Sequence, residues 1–206
     1  MTPPVEVAPP SWSGAAHARN LASAALRMTY QLRAHGAHHV GRSGPLLMVT
    51  RSEGMLAGAI LHATAPRPLH VLANEAMNHT LHETVLVKSG DIPVTQATAV
   101  AAQRTALAAL LDERAVVVAG GAVPVGYLVA MSGVDVMPVV LIGADGRVPT
   151  DPPRPRSRID VYFAPPVAVS IPGDPLRVTT RAAVTEQVRQ IVSDAEELAA
   201  RRTGRM

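Results

Sequence analysis

Five short apolar runs set the strongest limit on what this chain can fold into: Leu46 to Thr50, Leu69 to Ala73, Ala115 to Ala119, Val136 to Ile142 and Ile159 to Phe163. Each has the length of a strand, is rich in Val, Leu or Ile, and is soon followed by Gly, Pro or polar residues. That pattern suits strands buried on both faces.

Helical patterns lie between the runs. Ala18, Leu21, Ala25, Met28 and Leu32 predict one apolar stripe on a helix from about Ser13 to Ala34, with Arg19, Ser23, Arg27 and Gln31 on another face. Ser52 is placed to cap a helix running through Ala63. Glu75 to about Glu83 reads as helical. Thr95 or Thr98 opens a helix to Arg114, with Val100, Leu107 and Leu111 on one side. Val125 to Met131 is a short helix, Gly143 to Arg158 a polar, proline-rich loop. Val184, Val188, Ile191, Ala195 and Leu198 mark a closing amphipathic helix. The alternation predicts an α/β fold, a mixed and largely parallel sheet flanked by helices. It forms one domain over residues 13–202, behind a disordered leader, 1–12, that carries Pro3, Pro4, Pro9 and Pro10.

Composition narrows the function classes. Aromatic residues make up 2% of the chain, so Ala, Val, Leu, Ile and Met must fill the core. With 48% hydrophobic and 17% charged residues the chain is not a disordered one. The lack of cysteine removes disulfides, thiolate zinc sites and cysteine nucleophiles, and a reducing cytoplasm fits it. Residues 1–10 have neither a basic nor an apolar signal region. Ala115 to Val134 carries no formal charge over a length that could span a bilayer, but Gly120, Gly121, Pro124, Gly126 and Gly133 interrupt it. A strand, a turn and a short helix are the expectation there. The net charge of +3 comes without Lys/Arg clusters interleaved with aromatics, so no nucleic-acid partner is expected.

Four blocks, in order, carry a resemblance. The first is Val49-Thr50-Arg51-Ser52-Glu53-Gly54-Met55, after the strand Leu46-Leu47-Met48. The second is Gly90-Asp91-Ile92-Pro93-Val94-Thr95-Gln96. The third is Val118-Ala119-Gly120-Gly121-Ala122-Val123-Pro124, and the fourth Val134-Asp135-Val136-Met137-Pro138-Val139. From about Pro45 to Leu198 the chain resembles the lysophosphatidate (glycerolipid) acyltransferase family. That family's first block is Asn-His-x-Ser-x-x-Asp, where the His is general base toward the acceptor hydroxyl and the Asp orients it. Its second is Gly-x-Ile-Pro-Val-Asp-Arg, whose Arg holds substrate phosphate. Its third is Phe-Pro-Glu-Gly-Thr-Arg-Ser, and its fourth a Val-Pro-Val-Val-Pro-like strand entry.

Turn and strand residues match, and the chemistry does not. Ser52, Gly121 and Pro138 keep the family residue. Thr50 stands for the His, Met55 for the Asp, Gln96 for the phosphate-holding Arg, Gly120 for the Glu and Val123 for the second Arg. No His anywhere in the sequence has an Asp five positions later. The resemblance therefore implies a degenerate member without the His-x4-Asp motif. Such a pseudoenzyme would bind a lipid or acyl group in the old groove, with Ser52, Gln96, Gly121 and Val123 as groove positions, or regulate a protein partner. The alternative is an active phospholipid-synthesis acyltransferase using acyl-CoA with non-standard residues. No cofactor is implied.

Other polar groups carry less. Glu75, His79 and His82 share one helical face at a spacing that can bind a metal, but a solvated polar face explains them better and no metal is expected. His38-His39 reads as a solvated loop pair, and Arg51-Ser52-Glu53 as a helix cap rather than a serine nucleophile. Between Glu6 and Glu53 there is no acidic residue, while Arg19, Arg27, Arg33, Arg42 and Arg51 fall in the same stretch with His17, His35, His38 and His39. A weak peripheral contact with the inner face of an anionic membrane follows as an expectation, against packing of the helix on the domain.

Overall fold

The computed structural model describes residues 10–73 and 90–203. In chain order the elements are α1 (Trp12–Thr29), β1 (Gln31–His35), a single 3-10 turn (Ala37–His39), β2 (Leu46–Thr50), α2 (Ala57–Thr64), β3 (His70–Ala73), β4 (Ile92–Pro93), α3 (Ala99–Leu111), β5 (Ala115–Ala119), α4 (Val125–Ser132), β6 (Val136–Ile142), β7 (Arg158–Phe163) and α5 (Val178–Thr203). The seven strands form one sheet in the order β1-β7-β6-β2-β5-β3-β4. Every neighbouring pair is parallel except β6 and β7, which are antiparallel. The expected mixed, largely parallel sheet flanked by helices is the fold.

The strands alternate their side chains between two apolar cores. Leu46, Met48, Val71, Val117, Met137 and Val139 face α1 and α2 with Leu26, Ile60 and Leu61. Leu47, Val49, Val116, Val118 and Val136 face α3, α4 and α5 with Ala106, Leu110, Leu128, Val184 and Val188. The buried residues of both cores are aliphatic apart from Tyr30 and Phe163 on the first face, and half-buried Tyr127 packs against the second. The helices follow from this. A strand buried on both sides needs an apolar cover on each, and short Ala-rich helices provide it.

Several expected details change. The first helix stops at Thr29, and Gln31–His35 pairs with β7 as an edge strand instead of continuing the helix. Leu32 thus sits on a strand. Ala25 is exposed and Met28 is 89% exposed, and the residues of α1 that turn inward include Ala15 and Leu26. Strand pairing with β7 outweighs the local helical period, which a single-face reading of the sequence does not register. Ser52 caps no helix: α2 begins after Leu56, which has no side-chain cap. On α3, Val100 and Leu111 are exposed, and Ala102, Ala106, Ala109 and Leu110 make the buried face. On α5, Val192 and Ala199 replace Ile191 and Leu198 in the buried row with Val184, Val188 and Ala195. Of the expected leader, residues 1–9 lie outside the described residues; Ser11 caps α1 through the Gly14 amide. The helix expected at Glu75 to Glu83, with His79 and His82, also lies outside them. Among the described residues no helix is long and apolar enough to cross a membrane.

Two buried histidines tie α2 and β3 to the segment that enters β4. His62 Nε2 lies 2.9 Å from Asp91 Oδ1, which also accepts from the Val71 amide at 3.1 Å. His70 Nδ1–H donates to the Gly90 carbonyl at 2.7 Å. Burial pushes the His70 imidazole below its ordinary value; the Gly90 hydrogen bond opposes that, and nearby Arg114 adds to it. The sign follows from linkage. The fold keeps His70 neutral where the unfolded chain protonates, so stability is full above the unfolded value of about 6.5 and falls as the pH drops below it. The urea midpoint should therefore decrease between about pH 7.5 and about pH 5.5. His70→Asn, which can still donate to Gly90, should show a flatter pH profile; an unchanged profile would refute the assignment.

Candidate functional site

β2 and β5 end side by side at the centre of the sheet, with Thr50 in register with Ala119. The Gly120 amide donates to the Thr50 carbonyl at 3.0 Å, so the turn through Gly120 and Gly121 is stitched to the end of β2. This brings Thr50 and Gly120 together. The Thr50 side chain is 2% exposed, and its Oγ1 accepts from the Ser52 amide at 3.3 Å. It is a structural hydroxyl that turns the chain out of the strand, the local role common for Thr at such ends.

Beyond Thr50 the chain runs along the loop that follows β6. Ser52 Oγ donates to Asp145 Oδ1 at 3.1 Å, and the Met55 amide donates to the Pro149 carbonyl at 2.8 Å. Gly54 makes the approach feasible: a Cβ there would lie 2.9 Å from Asp145 Oδ1. Arg51 reaches the other way, to Glu196 of α5 at 3.0 Å. Between these segments is a hollow of about 320 Å³ lined by Ser52, Glu53, Gly54, Asp145, Arg147 and Pro149, among others. That is near the lower end of ligand pockets, about 300–1,000 Å³.

The chemistry available there is limited. Among the described residues no histidine lines the hollow. The serine is hydrogen-bonded to a carboxylate and lacks the imidazole that relays a proton in nucleophilic catalysis. Met55 is half-buried and its amide holds the loop, so it orients nothing. Gln96 is exposed between β4 and α3, on the far side of β5 and β3 from the hollow. Val123 is buried in the core that packs against α3, α4 and α5 and does not line this hollow. Of the groove positions, Ser52 lines the hollow, and Gly121 is exposed in the turn after β5 without lining it. Asp145 was not foreseen: it lies 93 residues after Ser52, and no local pattern points to it.

A 1-acyl-sn-glycerophosphate (LPA) acyltransferase, PlsC, from Thermotoga maritima superposes on this chain with a TM-score of 0.59 at 13% sequence identity, over 87% of this chain and 79% of that one. The fold is that of this acyltransferase. No family model and no curated protein matches the sequence.

On that acyltransferase fold the described histidines stand elsewhere. His62 pairs with Asp91 in the chemistry of a catalytic dyad, but its side chain is 3% exposed and the aspartate's 7%. The pair is packed under α1 and ties α2 to the sheet edge. His35 pairs with Asp160 at 2.9 Å on the opposite edge of the sheet. His38 is exposed as expected, its ring tilted 55° to that of His39 with centroids 4.1 Å apart, while His39 is half-buried and its Nδ1–H donates to the Phe163 carbonyl. Among the described residues no cluster of His, Asp and Glu is arranged to hold a metal ion.

Proposed function

We propose that this chain is a pseudoenzyme on the glycerophosphate acyltransferase fold, one that binds a lipid or acyl group beside Thr50, or regulates a partner, without transferring the acyl group. The observation that carries this reading is the end of β2. Where the resembled family places a general base, this chain has a buried threonine hydrogen-bonded to its own backbone. A threonine hydroxyl takes up no proton near neutral pH, and among the described residues no imidazole lines the adjoining hollow. The changed residues at Met55, Gln96, Gly120 and Val123 point the same way. The size of the hollow favours a head group or the carbonyl end of an acyl chain over a whole phospholipid.

Loss of a positioned general base costs about 10²–10⁴-fold, and the orienting and phosphate-holding groups are changed as well. These losses act as a unit and are not summed. Purified protein given acyl-CoA and lysophosphatidate should form no phosphatidate above the rate without protein. Turnover in the usual enzyme range, about 1–10³ per second, would sink the reading in favour of an active acyltransferase with non-standard residues. Thr50→His with Met55→Asp should not restore activity, because Gln96 and Val123 leave the phosphate unheld.

Contact with a membrane remains part of this proposal in a reduced form. Leu26 and Ala15 of α1 are buried against the domain, and Arg19 donates to the Pro66 carbonyl at 2.9 Å. Any peripheral contact therefore rests on the basic charge of the N-terminal third and not on insertion of the apolar stripe.

A further inference from the structure

A second hollow, about 340 Å³, lies at the outer edge of the sheet where β1, β7 and the end of α5 meet. Its ionisable lining is His35, His38, His39, Arg202 and Tyr162; among the described residues no carboxylate lines it. Four basic side chains from two segments far apart in sequence, residues 35–39 and the end of α5, converge on one cavity. Surface charges usually alternate in sign, so this one-sided set calls for an explanation.

The set is built, not scattered. His35, the last residue of β1, is in register with Tyr162 of β7. Its Nε2–H donates to Asp160 Oδ1 at 2.9 Å, and Asp160 is 0% exposed. That bond fixes the tautomer and ring plane and leaves Nδ1 for another partner, the way a buried carboxylate orients a working imidazole. The negative charge of Asp160 is matched by Arg158, whose Nη2 donates to Oδ1 at 2.9 Å. The carboxylate therefore does not cancel the basic lining. The following turn depends on Gly36, which has φ +71°; a Cβ there would lie 2.2 Å from the Phe163 carbonyl oxygen. That turn delivers His38 and His39, and the Nδ1–H bond of His39 to the Phe163 carbonyl likewise frees Nε2. Arg202 lies over the Tyr162 ring, its guanidinium carbon 5.6 Å from the centroid. It has no carboxylate partner among the described residues, whereas Glu196 and Glu197 of the same helix are engaged by Arg51 and Arg201.

The geometry points to a binding site for a phosphate monoester group in this edge hollow, held by Arg202 and by the free ring nitrogens of His35, His38 and His39. A guanidinium offers paired donors suited to phosphate oxygens. An imidazole adds a donor and a charge when it takes up a proton, which a doubly charged phosphate favours. The site is separate from the hollow at Thr50, and it stands whether or not this chain transfers acyl groups.

The test uses the whole chain and inorganic phosphate. Histidine ring resonances are followed by NMR at low ionic strength as phosphate is added. A saturable shift at His35, His38 and His39, with His62 and His70 unmoved, is the expected result. Arg202→Gln, at an exposed position that the fold does not need, should weaken binding about tenfold or more. Arg201→Gln, next to it but outside the hollow, should bind as the parent does. No saturable shift by millimolar phosphate, or equal affinity in the parent and Arg202→Gln, overturns the proposal. Two further probes separate the source of the group. Glycerol 3-phosphate that binds where phosphatidate vesicles do not identifies a soluble ester. Vesicles of phosphatidate in phosphatidylcholine that bind the parent but not Arg202→Gln identify a lipid head group.

Discussion

Val139→Asp should lower the melting temperature by about 10 °C or more, or remove the cooperative transition altogether. Val139 is at the middle of β6, 1% exposed, in register with Phe163 of β7 and facing the same core as Met48, Met137 and Val161. The contacts around it are aliphatic or aromatic and offer no donor to a carboxylate. An unpaired charge there costs several kcal/mol even after the group protonates to escape it. A domain of this size has about 5–15 kcal/mol in total. At about 2–4 °C of melting temperature per kcal/mol, the drop should be about 10 °C or more, or the cooperative transition should vanish. Val139→Ala is the control, losing about 1–3 kcal/mol through a cavity while folding normally. Thermal unfolding followed by circular dichroism measures both. A Val139→Asp protein that melts with the parent would show that β6 is not a central strand.

Asp160→Ala should be the costliest polar substitution in the sheet. The carboxylate is fully buried and holds two neighbours: Arg158, with Nε 2.7 Å from Oδ2, and His35. Burial alone would raise its pKa, but the hydrogen bonds from Arg158 and His35 outweigh that and hold Asp160 below the ordinary carboxylate range. Removing it leaves a guanidinium that is only partly exposed without its counter-charge, at a cost of about 2–4 kcal/mol. The sign with pH is fixed. A depressed carboxylate contributes above its unfolded value of about 3.9 and loses that contribution as the pH falls through the folded value. The difference between parent and variant should therefore be the same at about pH 7 and about pH 5.5 and shrink only in stronger acid. Urea unfolding at the two pH values measures it. A difference already halved at about pH 5.5 would show that Asp160 is not held below the ordinary carboxylate range.

The parts of the fold that were legible in the sequence are those whose signal is local. Leu46 to Thr50, Ala115 to Ala119 and Val136 to Ile142 read as strands because continuous burial on both faces demands continuous apolar runs. Gln31–His35 did not, because an edge strand half open to water needs no such run, and its polar sequence continues the preceding helical period. The buried row on α3 was misread for a related reason. Alanines pack closely against the sheet while Val100 and Leu111 point outward, so size alone was a poor guide to the inner face. At the site, the blocks marked Thr50 and Gly120 as separate positions, and only the parallel pairing of β2 with β5 brings them together. Asp145 and the pairing of His35 with Asp160 were out of reach, since they join residues 93 and 125 positions apart that share no pattern.

The position of β1 also has a consequence for how the protein is made. Among the strands it pairs with β7 alone, and β7 follows it by about 125 residues, the separation of His35 and Asp160. At about 5–20 residues per second on the ribosome, β1 waits roughly 6–25 s after it is made before its neighbour exists. During that time β2, β3, β5 and β6 can pair under α2, while β1 must remain a lone strand. Its sequence suits the wait. Gln31, Arg33 and Ala34 stay exposed even in the finished sheet, so the waiting strand offers little for a wrong partner to hold. The edge carrying the basic hollow is thus the last part of the sheet to be completed as the chain leaves the ribosome.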